Sequence, residues 1–475
     1  MTPAKRGLGL KVYMKQHLFY IKTIGCQMNH YDSERMVQIL IPLNYVLTED
    51  VEQADVILLN TCAIRAKAEQ KAFSFLGRLR QLKQKKSNLI IGVGGCVAQQ
   101  EGERLFERMP HVDLVFGTHA LFRLPGLVSK IKEQRRRICD TVLSDNLDEP
   151  DLVGVGSQRT TAFVTIMRGC DNFCTYCVVP YVRGREMSRP YNAIIREIKS
   201  LVRNGVREVT LLGQNVNGYG KKSEISCNFP ELLKKVNDID GLERIRFTTS
   251  HPKDLSDDLI EAMASLPKVC PHIHLPVQSG SDKVLKRMNR GYTADNYLEK
   301  VSKLKKTIPG VSITSDIIVG FPGETEKDFE ATIALMKQMN YDNLFSFKYS
   351  NRPHAPSTRF RGQVSEQIKQ KRLAYLQRLQ EEITGSKNNA LVGTTQEILV
   401  EGFSKNTHTQ LTGRTLCNRI VNIEAMKSII GQRVSVNVEK AYKHSLVGSV
   451  CDMDQVKPMK EKRNPQKGTR DSHVT

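Results

Sequence analysis

AFVTIMRGCDNFCTYCVVPYVRG, residues 162–184, opens as an apolar run and breaks at Gly169 into three cysteines, Cys170, Cys174 and Cys177, spaced C-x3-C-x2-C. An apolar run of this length ending in glycine reads as a buried strand, with the cysteines just beyond its carboxyl end. Three thiolates so close can hold three irons of a cubane and leave the fourth iron open for chemistry. Zinc and ferredoxin sites are normally closed by a fourth ligand. Downstream the next Cys is Cys227 and the next His is His251, both far along the chain, so zinc is the weaker reading. Three structural cysteines are the plain alternative, and the spacing around Gly169, Tyr176 and Pro180 argues against it.

Strand-like runs continue after this segment, alternating with helical stretches: EVTLLG, RIRFTT, HIHLPV, VSITSDIIVGF and NLFSFKYS. With AFVTIMRG they make six β/α units, which right-handed crossovers turn into an open (β/α)6 barrel. Chemistry in such barrels sits at the carboxyl ends of the strands, where the cysteine triplet follows the first one.

Upstream, LFYIKTIG, ADVILLNTC and NLIIGVGGC alternate with helical patterns over Asp32–Leu43 and Ala66–Lys85, the rhythm of a doubly wound α/β sheet. Each of the three runs ends in a cysteine: Cys26, Cys62 and Cys96. Ligands gather beyond the carboxyl ends of strands in open α/β sheets, so these thiols should converge as a second triplet rather than merely fill the sheet edge. Gly92-x-Gly94-Gly95 completes no G-x-G-x-x-G and is a weak nucleotide signal.

The expected boundaries are an α/β domain over 17–145, a linker around Asp145–Arg159 with Pro150, Gly154 and Gly156, a barrel domain over 158–382, a third domain over 385–455 and a basic, disordered tail over 456–475. The third domain reads as short strands, QEILVEGF, TQLTGRT, RIVNIE, QRVSVNVEKAY and SLVGSVC, and predicts a small antiparallel β-barrel of the sort that often binds oligonucleotides. Lys405, Arg414, Arg419, Arg433, Lys440 and Lys443 on or beside it favour RNA contact over a structural cap.

Over 475 residues, 71 Lys and Arg face 50 Asp and Glu, a net charge of +21 that points to a polyanionic partner rather than only a solvated surface. The excess gathers at Arg78–Lys86, Arg135–Arg137, Arg183–Arg189 and Lys457–Arg470. There is no run of ~18 apolar residues and no secretory h-region. The reading is a cytoplasmic protein with no membrane partner, an acid-free basic N-terminus before Asp32 leaving an organellar transit peptide as the alternative. Eleven cysteines then serve as ligands in a reducing compartment rather than as disulfides.

The C-x3-C-x2-C with Tyr176 before its last Cys is similar to the radical S-adenosylmethionine signature. From about Leu18 to Asp452 the chain resembles the methylthiotransferases, which order an N-terminal methylthiotransferase domain, a radical-SAM barrel and a C-terminal TRAM domain. Gly25-Cys-Gln-Met-Asn29 with Asp32-Ser-Glu34, Asn60-Thr-Cys62 with Arg65-x-Lys67-Ala-Glu69, Gly169–Arg185, Gln410–Arg414 and Asn418-Arg419 resemble the branch that acts on isopentenyladenosine beside the tRNA anticodon. Tyr349-Ser-Asn-Arg-Pro-His-Ala-Pro356 departs from that branch, where Pro and Gly are expected near Asn351 and His354.

The resemblance implies a 4Fe-4S cluster on Cys170, Cys174 and Cys177 that binds S-adenosylmethionine, and an auxiliary 4Fe-4S cluster on Cys26, Cys62 and Cys96. No catalytic side chain is expected beyond these ligands. One S-adenosylmethionine would methylate a sulfur at the auxiliary cluster; another, cleaved at the open iron, would give the radical that removes an unactivated aromatic hydrogen. Candidate S-adenosylmethionine contacts are Tyr176, Gly213, Gln214, Asn215, Ser250, Gln278, Gly320 and Glu324, and candidate RNA contacts are Arg414 and Arg419.

The implied substrate is a tRNA anticodon stem–loop carrying isopentenyladenosine at position 37, methylthiolated at carbon 2 by a monomer supplied by a reducing electron donor. Methylthiolation of threonylcarbamoyladenosine or of a ribosomal protein is the alternative within the family. A noncatalytic, metal-containing RNA-binding protein is the alternative outside it.

Overall fold

Val56–Thr61 and Ile90–Gly95 are buried along their whole length, as continuous apolar runs must be when both faces of a parallel sheet are covered. The computed structural model describes residues 16–63, 66–144, 149, 159–222, 226–404, 407 and 409–451, the side chains of 66 and 67 excepted. The N-terminal segment, most of the linker, Arg65, the Lys67 side chain, Lys405 and the basic tail lie outside the described residues.

The first sheet comprises β1 (His17–Ile24), β2 (Tyr45–Leu47), β3 (Val56–Thr61), β4 (Ile90–Gly95), β5 (Leu114–Phe116) and β6 (Ile138–Asp140), all parallel, in the order β2-β1-β3-β4-β5-β6. Helices α1 (Gln27–Leu40), α2 (Ala66–Lys85), α3 (Cys96–Glu101), α4 (Arg104–Arg108) and α5 (Leu124–Gln134) connect the strands. Phe19, Val56, Leu58 and Leu114 pack with Met36, Leu40 and Leu124 on one face. Ile57, Leu59, Ile91 and Val93 pack with Leu76 and Leu79 on the other, so the domain is doubly wound. Leu58, wholly buried, is worth about 2–5 kcal/mol against alanine.

One helix differs from expectation. The pattern placed it over Asp32–Leu43, whereas α1 starts directly after Cys26 and stops at Leu40. Its first turns bury polar side chains, Asn29, Asp32 and Ser33, which an apolar periodicity does not register. Pro42 ends it in a short 3₁₀ turn because proline lacks the donor that a further turn needs.

The second regime supplies β7 (Thr161–Thr165), a two-stranded ribbon of β8 (Met167–Arg168) and β9 (Met187–Ser188), then β10 (Glu208–Leu212), β11 (Arg244–Phe247), β12 (His272–His274), β13 (Ser312–Val319) and β14 (Asn343–Lys348). Sheets β11-β10-β7 and β12-β13-β14 are parallel, and a bridge between Ile245 and Val269 spans the seam between them. Together they form the six-stranded open barrel. Between strands run α6 (Val179–Arg183), α7 (Tyr191–Arg203), α8 (Phe229–Asn237), α9 (Asp257–Ser265), α10 (Asp282–Arg287), α11 (Ala294–Thr307) and α12 (Glu326–Met339). Asn228, Ser256, Ser281, Thr293 and Thr325 cap α8 to α12, each worth roughly 1 kcal/mol. Cys227 is buried in the barrel's apolar core.

A buried ionic seam joins these two parts. Arg183 pairs with Asp32 at 2.9 Å, Arg168 with Glu149 at 2.8 Å, and Arg189 with Glu149 at 2.8 Å and Glu197 at 2.9 Å, while Arg35 of α1 also reaches Glu197. The run Arg183–Arg189 is therefore not the surface patch its charge suggested: Arg183 is buried and Arg189 nearly so, because carboxylates on both sides neutralise them, and Arg185 alone of the three is well exposed.

The chain divides into two compact units after Ile383, with α13 (Glu366–Asn389) running across the division. In the second unit β15 (Thr395–Phe403), β16 (Leu411–Thr415), β17 (Ile420–Ile423), β18 (Arg433–Ala441) and β19 (Leu446–Val450) close a barrel in the order β15-β16-β17-β19-β18. The expected antiparallel barrel is in fact mixed, since β17 and β19 run parallel. Directions cannot alternate around a closed ring of five strands, so at least one neighbouring pair must agree. No described helix is long and apolar enough to cross a membrane.

Candidate active site

Gly169 makes the turn from the β8 ribbon into the cysteine loop at φ +72°, and a Cβ there would lie 1.9 Å from the Arg185 carbonyl oxygen. Only glycine fits. The loop is then tied to the segment after α10: Thr175 N donates to Met288 O at 3.0 Å, Thr175 Oγ1 to Arg287 O at 2.8 Å, and Asn289 Nδ2 to Asn172 O at 3.1 Å. Cys170 and Cys174 are buried and Cys177 half-buried. Burial first, then the neighbouring thiolates, pushes the Cys177 thiol up to about 12; burial pushes Cys170 up to about 11. As bare thiols they stay neutral at ordinary pH, and a bound cation is what ionises such groups.

The three upstream cysteines also meet. Cys62 donates a hydrogen bond to Cys26, which lowers the Cys26 thiol to about 6 against the opposing effect of burial, with Arg183 and backbone amides adding to the lowering. Burial pushes the Cys96 thiol up, and the nearby Arg183 charge opposes it. Asn29 and Asn60 fasten the strand ends beneath: Asn29 Nδ2 donates to Asn60 Oδ1 and Thr61 O, both at 2.9 Å, and Asn60 Nδ2 returns a bond to Asn29 O at 2.8 Å. Gly95, at φ +89°, leaves room for that pair, since its Cβ would sit 2.4 Å from Thr61 O.

One apolar cluster joins Cys96 of the upstream triplet to Val178, the residue after Cys177 of the other. Cys96 and Ala63 pack with Val178, Val182 and Ala355, and α3, which begins at Cys96, lies against α6, which begins two residues after Cys177. Among the described residues no three Cys, His, Asp or Glu side chains converge as the ligands of one ion would. A single tetrahedral zinc, with bonds of ~2.3 Å, draws its sulfurs to within about 4 Å of each other, whereas a cubane takes one thiolate per iron and its ligands stand apart.

At the carboxyl ends of β10, β11 and β12 five buried polar atoms have no hydrogen-bond partner among the described residues: Gln214 Oε1, Asn215 Oδ1, Ser250 Oγ, His251 Nε2 and Gln278 Oε1. Unpaired buried polar atoms are rare and costly, so five at adjacent strand ends mark a place built for a polar ligand. Thr249 and Gln278 hold φ values of +70° and +72° there, strain of about 1–3 kcal/mol each. Gly213 is buried against Met167 and Val216.

Other expected contacts are occupied. Glu324 accepts from Arg372 at 2.7 Å, and also from Gly320 N, which ties the β13 loop to α13. Tyr176 packs beside Val284, Met288, Phe321 and Tyr349. In the second unit Arg414 pairs with Glu401 at 3.1 Å and Asn418 at 3.2 Å, and Arg419 bonds Asn388.

Sequence reasoning missed three residues. Arg290, buried, donates to Cys174 Sγ at 3.4 Å, Pro276 O at 2.7 Å and Tyr292 OH at 2.9 Å. Arg183 was counted only as surface charge. His251 was weighed only as a distant cluster ligand. Its Nδ1 accepts from Lys253 N at 3.3 Å, and burial, then the charges of Arg290, Lys253 and Lys300, hold its pKa far down, so the neutral ring carries its proton on the unpartnered Nε2. The one sequence signal for Arg290 was its place in KRMNRGY, a run that composition assigns to solvent.

A cysteine triplet at the strand ends of an open β/α barrel, beside a ring of unsatisfied polar atoms, defines a radical S-adenosylmethionine enzyme. The Radical SAM superfamily model matches residues 164–336, the uncharacterized protein family UPF0004 matches 18–117, and the TRAM domain matches 389–451.

The chain belongs to the MiaB family of tRNA methylthiotransferases. It is 51% identical over 451 residues, 95% of this chain and 98% of the relative, to the tRNA-2-methylthio-N(6)-dimethylallyladenosine synthase of Syntrophus aciditrophicus (strain SB). It is 52% identical over 433 residues, 91% and 97% of the two chains, to the protein of that name from Geobacter sulfurreducens (strain ATCC 51573 / DSM 12127 / PCA). Among solved structures, the radical S-adenosylmethionine methyltransferase TsrM from Kitasatospora setae shares the fold, with a TM-score of 0.53 at 15% identity over 72% of this chain and 74% of that one. Radical SAM membership carries a 4Fe-4S cluster and S-adenosylmethionine.

Proposed function

We propose that this protein adds a methylthio group to carbon 2 of isopentenyladenosine at position 37 of tRNA, next to the anticodon. The observation that carries the reading is the shared wall: Cys96 of one triplet and Val178, the neighbour of Cys177 in the other, pack in one apolar cluster. A reaction that both breaks a C–H bond and delivers sulfur needs its two centres on one substrate pocket. The relatives are named for the synthesis of 2-methylthio-N(6)-dimethylallyladenosine in tRNA.

In this reading Cys170, Cys174 and Cys177 hold the cluster that binds S-adenosylmethionine, and Cys26, Cys62 and Cys96 hold a second 4Fe-4S cluster. The donor sets fit: each is three thiols, and Cys227 is locked in the barrel core. When bound, these groups supply the one-electron chemistry that an unactivated aromatic C–H requires, and the sulfur. The protein's own residues position and exclude. Gln214, Asn215, Ser250, His251 and Gln278 offer their free polar atoms to S-adenosylmethionine, with Tyr176, Gly213, Gly320 and Glu324 shaping the loops around it. Arg290 directs a donor at Cys174, and Arg183 places its charge near Cys96. Ala63, Val178, Val182 and Ala355 keep water from the gap.

The second unit, with Arg414 and Arg419, would bind the anticodon stem–loop. We set the domain limits at 17–145, 158–382 and 385–455, in a cytoplasmic monomer that draws on an external reductant. The test is nucleoside mass spectrometry of tRNA from a deletion strain. Loss of methylthio-isopentenyladenosine, restored by this chain, is expected; its persistence would overturn the reading, and loss of methylthio-threonylcarbamoyladenosine or of a ribosomal-protein modification would redirect it.

A further inference from the structure

Phe173, Tyr181 and His354 form a row of rings that the chemistry above does not use. The Phe173 and Tyr181 centroids are 6.4 Å apart at 78°, and those of Tyr181 and His354 are 6.2 Å apart at 30°. The Arg185 guanidinium lies 5.5 Å from the Phe173 centroid. The row faces outward: Phe173 and Tyr181 are each 38% exposed, the Arg185 side chain 69%, and His354 is exposed as well.

Its supports reach both triplets. Phe173 belongs to the loop between Cys170 and Cys174, where Asn289 Nδ2 holds its carbonyl at 3.2 Å. Tyr181 stands on α6. The His354 loop is pinned by Ser357 N donating to Thr175 O at 2.9 Å, and the next residue, Ala355, is buried against Cys96, Val178 and Val182. Phe173 and His354 also hold φ values of +45° and +68°, a conformation that side chains rarely adopt. Burial offsets that strain only in part, since both residues are exposed.

We propose that Tyr181, flanked by Phe173 and His354, stacks a nucleobase that neighbours the reacting adenosine. This rests on the reading that the substrate is an RNA loop. For the reacting base to enter the gap between the triplets it must leave its stack, and its neighbour then needs another aromatic face. Exposed rings beside a guanidinium, on a chain of net charge +21, suit a base and its phosphate better than an apolar protein segment.

The test uses full-length, cluster-loaded protein and anticodon stem–loop RNAs carrying isopentenyladenosine at position 37, with 2-aminopurine placed on either side of it. Wild-type protein should quench one of the two probes on binding and convert the RNA. Tyr181→Leu should lose the quench and weaken binding by about 5- to 150-fold, the range for loss of one stacking contact, while Tyr181→Phe should restore both. His354→Gly, which relieves the positive φ, should weaken binding without threatening the fold. Iron content and melting temperature confirm intact protein. If wild-type protein converts the RNA while Tyr181→Leu and His354→Gly bind with unchanged affinity and quench, the stacking is overturned and the function stands. If wild-type protein neither binds nor converts it, both are overturned.

Discussion

Arg290 directs Nη1 at the sulfur of Cys174, 3.4 Å away, while its other nitrogens are fixed by Pro276 O and Tyr292 OH. A buried cation so anchored donates to Cys174, the proposed cluster ligand, without freedom to turn aside. Hydrogen bonds to cluster sulfurs favour the reduced, more negative state. Arg290→Leu should therefore lower the potential of the S-adenosylmethionine-binding cluster by on the order of 50 mV, read by redox titration with electron paramagnetic resonance. It should also cost about 1–3 kcal/mol in stability through the stranded partners. An unmoved potential would show that the contact only builds the fold.

The two triplets should fail differently. Cys174→Ala should abolish both cleavage of S-adenosylmethionine and methylthio product. Cys62→Ala should keep some cleavage and lose product. Deoxyadenosine and modified nucleoside, quantified in parallel and normalised to iron content, distinguish the two; persistent cleavage by Cys174→Ala would contradict its assignment.

Ser250 Oγ is buried and unpartnered, so it costs free energy in the protein without ligand. Ser250→Ala should leave the melting temperature unchanged or raise it, worth up to about 1 kcal/mol, while weakening S-adenosylmethionine binding severalfold by calorimetry. A fall in both would mean that the hydroxyl serves the fold instead.

Glu149 sits between Arg168 and Arg189 in the ionic seam. Burial alone would raise its carboxyl, but the two guanidinium groups outweigh it and hold the pKa below the usual carboxylate value. A carboxylate depressed on folding contributes stability above its unfolded pKa, ~4.3, and loses it as pH falls through the lower folded value. Glu149→Gln should cost about 1–3 kcal/mol at pH 7, because it removes a buried charge-assisted bond to each guanidinium while Arg189 keeps Glu197 and Arg168 keeps Asp32. That deficit should narrow as the pH of chemical denaturation is taken below about 4.

Much of this architecture could be read from the chain. The six barrel strand runs and β1, β3 and β4 of the first sheet appear where the apolar residues cluster, while β2, β5 and β6, three residues each, were too short to be read; Cys26, Cys62 and Cys96 lie at equivalent strand ends because β1, β3 and β4 are parallel neighbours. What escaped was polar burial. Asn29 and Asp32 look like surface of a helix until Asn60 and Arg183 are placed against them. Arg183, Arg189 and Arg290 look like solvated charge until carboxylates, carbonyls and a sulfur from distant parts of the chain close on them. One sequence gives such residues no visible partner.

The Asp32–Arg183 pair has a mechanical meaning. Asp32 lies six residues beyond Cys26 along α1, and Arg183 six residues beyond Cys177 along α6. The ion pair, at 2.9 Å, joins these arms into one brace. The placement of α1 against α6, and with it that of Cys26 and Cys177, is thus tied to two arms of equal count and the bond that links them. Adding or removing a single residue in either arm would turn its side chains around the helix and break the brace.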